Sequence, residues 1–391
     1  MESADQTTPA VNDIYMRTKS VAAALGVSDT AVASYERQLE ERFNITVARK
    51  TDGGPAVRLF TIRDLYAITR LRRESRLFKP LARPITIAVY AQKGGVGKST
   101  IASNIISMLQ LDGYNVLGVD ADHQANLTSM FGYDSELTRE DIIADGLPED
   151  RLIQHHFGNL FDIPPFYEPS AGTCVPLAKV IKQPYSEFGP DIIPADTSLS
   201  VLENAFGIAS NRDHLVDLML RYARMPENTP QEISAKREFT MHDARKYDFV
   251  IFDCPPQAAH NAVIRPILLA CDLLIAPVRM DELSIKGLSL MYAALRQQLK
   301  TFGKVPEVML LPTFYNERLR RVQLAQAKLF QHYGQDLASV KIPQSEEIPS
   351  NLIESAPLAL SKPTSKVVMQ EFRALANEIL ERSHRIAGKK L

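Results

Sequence analysis

The 391-residue chain has little of what marks secreted, membrane-spanning or metal-cluster proteins. Its three cysteines, Cys174, Cys254 and Cys271, lie far apart. They show no zinc or iron–sulfur spacing and no disulfide framework, so a reducing compartment is the simplest reading. The apolar runs are strand-sized, well short of the roughly 20 residues a membrane span needs. The first residues are polar and lack the apolar core of a secretory leader; a cytoplasmic protein is expected. Net charge is only −1. The whole chain is no polycation, and any nucleic-acid role must come from local asymmetry. No internal repeat is evident.

What is present fits two domains, and a 45% hydrophobic content supports a sizeable core. The organising stretch is residues 91–100, AQKGGVGKST. The apolar run 85–90 precedes it, and a helical pattern from Ile101 to Leu111 follows. Strand, glycine loop and helix together form the setting of a phosphate-binding loop. Without a Cβ, Gly94, Gly95 and Gly97 let successive backbone N–H groups, with those of Val96 and Thr100, turn toward phosphate oxygens. The positive helix end adds to this. Lys98 would reach the β- and γ-phosphates, and the Ser99 hydroxyl would sit on Mg²⁺. The position of the usual first glycine is Gln92, and a further lysine, Lys93, follows it.

That KGGxGK[ST] loop resembles the deviant Walker A ATPases, which include the ParA partition ATPases, MinD-type septum-site ATPases and the nitrogenase iron protein. The resemblance implies that Lys93 is the signature lysine that crosses a dimer interface to the partner's nucleotide.

From Ile14 to Arg83 the charge is lopsided, with fourteen Lys or Arg against seven Asp or Glu. Residues 18–25 read as a short helix and 26–28 as a turn. Residues 29–42 read as a second helix with Ser28 as N-cap; this is a helix-turn-helix signature. Ala22, Leu25, Val27, Val32 and Tyr35 would pack the two helices together. Ser28, Thr30, Ala31 and Ser34 would face a DNA groove. Residues 45–50 and 56–61, joined by Asp52-Gly53-Gly54, form a hairpin pattern. Arg49, Lys50 and Arg58 on this wing would suit phosphate contacts. A basic helix from Ile62 to Arg76 closes the unit with Arg63, Arg70, Arg72, Arg73 and Arg76. The stretch resembles a winged, MerR-like helix-turn-helix; a small helical bundle used for dimerisation is the alternative. Prolines at 80 and 84 mark the boundary.

Beyond it, short apolar strands alternate with helices at 116–120, 246–256, 271–278 and 307–312, which predicts a mostly parallel sheet wrapped by helices. Residues 191–194 followed by 199–206 look like a strand entering a helix. Residues 224–240 are expected to be a mobile loop. Ligands in such sheets bind at the carboxyl ends of the strands. There Asp253 reads as the Walker B carboxylate, holding Mg²⁺ through water. A lone acid at a strand end is as readily a helix cap or turn; two acid motifs in this order after a phosphate loop are not. By resemblance Asp122 is the second acid of the Walker A′ motif and orients the attacking water, while Asp120 supports the Mg²⁺ shell. The family often has proline next; here it is His123, with Gln124 and Asn126 still matching. Residues 277–287 match a family pattern near the partner subunit, and Pro312 and Thr313 begin a loop that flanks adenine in the family.

The last stretch also resembles the partition ATPases. Its helix would bury Val368, Phe372, Leu375 and Ile379, which argues for packing over the lipid-facing helix of MinD-type relatives. The family often carries basic residues after Ile-Pro; here 344–347 read QSEE. Nonspecific DNA contacts would therefore fall to Arg318, Arg320, Arg321, Lys328, Lys362 and Lys366, or these form only a solvated surface.

The expectation is an α/β protein, a deviant Walker A P-loop ATPase with a mostly parallel sheet and an N-terminal winged helix-turn-helix domain. Residues 1–13 form a flexible N-terminus, 14–79 the DNA-binding domain, 80–84 a linker and 85–391 the ATPase domain. By resemblance it is a homodimeric, nucleoid-associated ATPase, using ATP and Mg²⁺, that segregates a low-copy plasmid or secondary chromosome. Hydrolysis would be slow and stimulated by DNA and a ParB-type partner. The ATP form would bind nonspecific DNA, and the protein would repress its own operator. No membrane partner is expected. A septum-positioning ATPase and a nucleotide-sensing transcriptional regulator are the alternatives.

Overall fold

A computed structural model describes residues 15–51, 56–75, 77–161, 163, 175, 177–209, 212–222, 247–256, 262–345, 357, 360 and 366–389. The expected N-terminal tail, the 52–54 turn, the 224–240 loop, and Arg76, Cys174, Glu346, Glu347 and Lys362 lie outside these residues.

Six strands form one parallel sheet in the order β5-β4-β6-β3-β7-β8. They are β3 (Ile85–Val89), β4 (Val116–Asp120), β5 (Asp191–Ile193), β6 (Phe249–Asp253), β7 (Leu273–Arg279) and β8 (Glu307–Thr313). Every residue of β3, β4 and β6 is buried, because both faces of the sheet are covered. Such strands read as unbroken apolar runs. Ile85, Ile87 and Val89 point into one core, and Ala88 into the other. In the register, Val89 and Asp120 both lie opposite Asp253. The carboxyl ends of β3, β4 and β6 thus meet side by side.

The helix after the glycine loop, α4 (Lys98–Leu111), starts three residues before the apolar pattern suggested. Gly97, at φ +87°, supplies its N-cap. All of its residues but Ser99 are buried. It lies between the sheet, the front unit and the last helix, Lys366–Gly388. The predicted stripe on that last helix is packed: Val368, Phe372, Leu375 and Ile379 are at most 3% exposed. Among the described residues, no helix is long and apolar enough to cross a membrane.

The front unit runs α1 (Thr18–Leu25), α2 (Asp29–Phe43), β1 (Ala48–Lys50), β2 (Val57–Leu59) and α3 (Ile62–Glu74). Gly26 in the left-handed region ends α1, and the Ser28 hydroxyl accepts the Ala31 N–H to start α2. Ala22, Leu25 and Val32 are buried between the two helices, with Val27 and Tyr35 packed beside them. β1 and β2 pair antiparallel. The first strand is shorter than its pattern, because Ile45 and Val47 turn into the core before the pairing begins.

The arginines of α3 mostly face protein. Arg73 donates to the Gly113 carbonyl and to Asp248, each at 2.6 Å. Arg72 donates to the Leu25 carbonyl at 3.0 Å, and Arg63 and Arg70 pair with Glu187 and Glu74. From the last helix, Arg373 reaches both Asp112 and the Ala24 carbonyl. Tyr66 of α3 stacks on Tyr185. The front unit shares a continuous apolar core with one face of the sheet. The 80–84 connection is also held, with Arg83 paired to Asp272 at 2.9 Å. Arg63, Arg73 and Arg83 thus help to dock the unit, while Arg70 and Arg72 are held within it.

Candidate nucleotide and magnesium site

The carboxyl ends of β3, β6 and β4 bring together the glycine loop, Asp253 and the 120–126 turn. Gly95 and Gly97 take φ of +69° and +87°, a region open at low cost only to glycine. The loop thus reaches α4 with its amides free to face an anion. Lys98, the first helical residue, is 7% exposed.

Asp253 is fully buried, and among the described residues neither carboxylate oxygen meets a hydrogen-bond partner in good geometry. Burial and the neighbouring Asp120 push its pKa well up; Ser99 and Lys98 pull in the other direction. An orphaned buried carboxylate is costly unless something completes it. Among the described residues no three acidic, histidine or cysteine side chains are arranged to hold a metal by themselves. That suits Mg²⁺, which keeps several waters and takes phosphate oxygens besides one or two protein ligands. Asp253 with Ser99 fits that ion.

Asp120, expected to support the metal shell, is held by the turn that follows it. Its Oδ1 accepts the Asp122 N–H at 3.2 Å, and its Oδ2 accepts the Thr128 N–H at 2.9 Å and hydroxyl at 2.7 Å. It is the brace of the turn that follows β4. Asp122 is 2% exposed, and its Oδ1 accepts the Gln124 N–H at 3.1 Å. Ala125, at φ +51°, makes the sharp bend, so the turn closes without a proline where His123 stands.

Opposite the loop, Val96, Gly97, Thr100, Thr313, Phe314, Ile342 and Phe372 line an apolar recess. The Thr313 hydroxyl is buried without a partner, and the Pro312 carbonyl is taken by the Ile342 N–H. Phe314, at φ +50°, packs beside the Arg279 guanidinium. Lys93 lies at the open side, 44% exposed, with its Nζ 3.4 Å from Asp281 Oδ2. Nothing in the order of residues signals this pairing, since the two lie far apart along the chain.

The residues expected to meet DNA are on another part of the molecule. Ser28, Thr30 and Ser34 are exposed on α2. Arg49 and Arg58 both pair with Glu36 of α2, at 2.8 and 2.5 Å, and Lys50 is exposed beside them. Glu36, an acid that no motif marks, binds the wing to the helix and offsets its charge.

A family model described as an AAA domain matches residues 85–305. The chain is similar to the cell division protein PomZ of Myxococcus xanthus, 27% identical over 74% of this chain and 76% of that protein. It is also similar to the chromosome partitioning protein ParA of Caulobacter vibrioides, 23% identical over 68% and 84%. Its fold is shared by solved structures, among them the following. A plasmid partition protein of Borrelia burgdorferi bound to AMPPNP has a TM-score of 0.53 at 20% identity, covering 77% of this chain and 100% of that one. A cobyrinic acid a,c-diamide synthase of Mycobacterium smegmatis with ADP and magnesium has 0.54 at 19%, covering 79% and 98%. A partition protein has 0.57 at 18%, covering 97% and 95%.

Proposed function

The chain belongs to the AAA domain family as a ParA-type partition ATPase, and from that premise we propose how its residues carry out the work. Its nucleotide is ATP with Mg²⁺. The observation that carries the reading is the unpartnered, buried Asp253 beside Lys98 and Ser99, at the mouth of a glycine loop. Lys98 and the amides of residues 94–100 bind and orient the phosphates. Ser99 and Asp253 hold the Mg²⁺, which when bound neutralises phosphate charge. Asp122, held by its own turn, orients the attacking water, and Asp120 braces that turn. Lys93 reaches the nucleotide of a second copy of the chain. Positioning and charge neutralisation supply most of the catalysis in phosphoryl transfer, so turnover is slow until geometry improves. Pro312, Thr313 and the recess around Phe314 take the base.

The chain acts as a homodimer on a low-copy plasmid or secondary chromosome, with a ParB-type partner and DNA stimulating hydrolysis. The front unit acts as a winged helix-turn-helix that reads an operator through Ser28, Thr30 and Ser34 and grips phosphates through Lys50, Arg49 and Arg58. Exposed Arg318, Arg320 and Arg321 are the surface for nonspecific DNA in the ATP form. Lys328 is committed to Glu282 at 3.0 Å.

Phosphate release from MgATP, with and without DNA, tests this reading in wild type and Asp122→Ala. Turnover that DNA raises and the substitution abolishes is expected. Equal rates in the two proteins would leave a nucleotide-sensing regulator in place of an ATPase.

A further inference from the structure

Gln92 stands where a phosphate loop of common spacing has its first glycine, and its side chain has polar neighbours elsewhere, the Tyr90 hydroxyl among them. It also lies against the helix Glu282–Phe302. Oriented by the hydrogen bonds open to it, the Gln92 amide donates to the Gly287 carbonyl at 3.1 Å and accepts from the Met291 N–H at 3.3 Å. Those two groups are the acceptor and donor of one i→i−4 step of that helix. A single side chain from the loop therefore spans one rung of another element's backbone. Such a contact is far more restrictive than apolar packing, because both distance and direction are fixed.

Gly287 lies directly under it: a Cβ at that residue would meet the Gln92 amide at 3.5 Å, an ordinary van der Waals contact. The next residue, Lys93, pairs with Asp281, the N-cap of the same helix. Two consecutive loop residues thus hold one helix at its start and again two turns along. A small space between them, lined by Val96, Ala276, Leu288 and Met291, keeps the amide half-sheltered from water.

We propose that Gln92 is a positioning residue for ATP hydrolysis. It fixes the glycine loop against the 282–302 helix and so sets where Lys93 sits. This rests on the ATPase reading and on Lys93 acting at the nucleotide.

The test uses the full chain and Gln92→Met, which keeps the length of the side chain and removes both hydrogen bonds. We expect kcat to fall about tenfold, while MgATP affinity by calorimetry and the melting temperature stay near wild type. A loss confined to kcat is the mark of a contact that matters in the transition state. Gln92→Glu keeps an acceptor for Met291 but sets a carboxylate against the Gly287 carbonyl; it should show the same loss and serves if the Met variant does not fold. In the double variant with Lys93→Ala, little should be lost beyond Lys93→Ala alone, as for two residues acting through one group. Unchanged kcat in Gln92→Met overturns the proposal. So do losses that multiply in the double variant, or a fall in affinity and melting temperature that matches the fall in kcat. The wild-type arm reports separately on the ATPase reading, since absence of turnover there removes both.

Discussion

Lys93 and Asp281 face each other across the open side of the nucleotide site, Nζ to Oδ2 at 3.4 Å. The same carboxylate caps a helix, accepting the Ser284 N–H through Oδ1 at 2.8 Å. Lys93 is thus parked on its own chain in the single copy. The contact is half-exposed, so it holds the lysine only weakly. Asp281→Asn keeps a good cap and removes the charge. It should shift the MgATP-dependent monomer–dimer midpoint toward dimer by a few-fold at most, read by sedimentation. Lys93→Ala should bind MgATP normally and lose most of its turnover. Full turnover in Lys93→Ala would remove the trans role.

Asp120 and Asp253 give a pH dependence whose sign can be worked out. Burial raises both, Asp120 to about 7 from the ordinary 3.8 and Asp253 well above it. The folded protein then holds protons that the unfolded chain has released, so this pair's contribution to stability is lost as pH rises from about 4 through 7. The melting temperature of the nucleotide-free protein should fall across that interval, and Asp253→Asn should flatten the fall. MgADP displaces the held proton, so its stabilising shift should grow with pH. A shift independent of pH would mean that Asp253 is not near the metal.

Glu36 offsets two of the three basic residues assigned to the wing. Glu36→Gln should free Arg49 and Arg58 for phosphates. Duplex DNA affinity at low salt should rise, and the slope of log affinity against log salt should steepen by about one to two. An unchanged slope would take the wing out of the DNA interface and favour a dimerisation role for the front unit.

Arg73 is the densest of the contacts that dock the front unit, with two 2.6 Å hydrogen bonds and a cation–π contact to Phe78. Arg73→Ala leaves the Gly113 carbonyl and Asp248 short of a partner. It should cost about 1–3 kcal/mol in urea unfolding and expose the 77–84 segment to limited proteolysis. An intact digestion pattern would show that the apolar core alone holds the unit.

Phe372 separates a packed last helix from a lipid-facing one. It is 1% exposed in the shared core. Phe372→Ala should cost about 3–5 kcal/mol and lower the melting temperature. A variant as stable as wild type, with lost binding to anionic vesicles, would restore the septum-positioning alternative.

Much of this protein was fixed by its sequence. Residues 116–120 and 249–253 had to be buried strands because nothing polar interrupts them until the acid at the end, and 85–89 is as apolar but for Thr86. The glycines at 95 and 97 had to form a loop, because the backbone there takes conformations other residues resist. The spacing of Phe372, Leu375 and Ile379 told which face of the last helix is covered. What only the tertiary structure decided were the pairings between distant residues. Charge counting marked α3 as a basic helix without partners for its arginines, and three-dimensional packing turned Arg72 and Arg73 onto backbone carbonyls and Asp248. Strand order set Asp120 beside Asp253, and the Thr128 contacts then made it a brace of the turn. Gln92 reads as a polar residue in a loop until the helix at 282–302 is laid against it. Periodicity records what each segment buries, whereas the partner of a hydrogen-bonding side chain is fixed only when the segments meet.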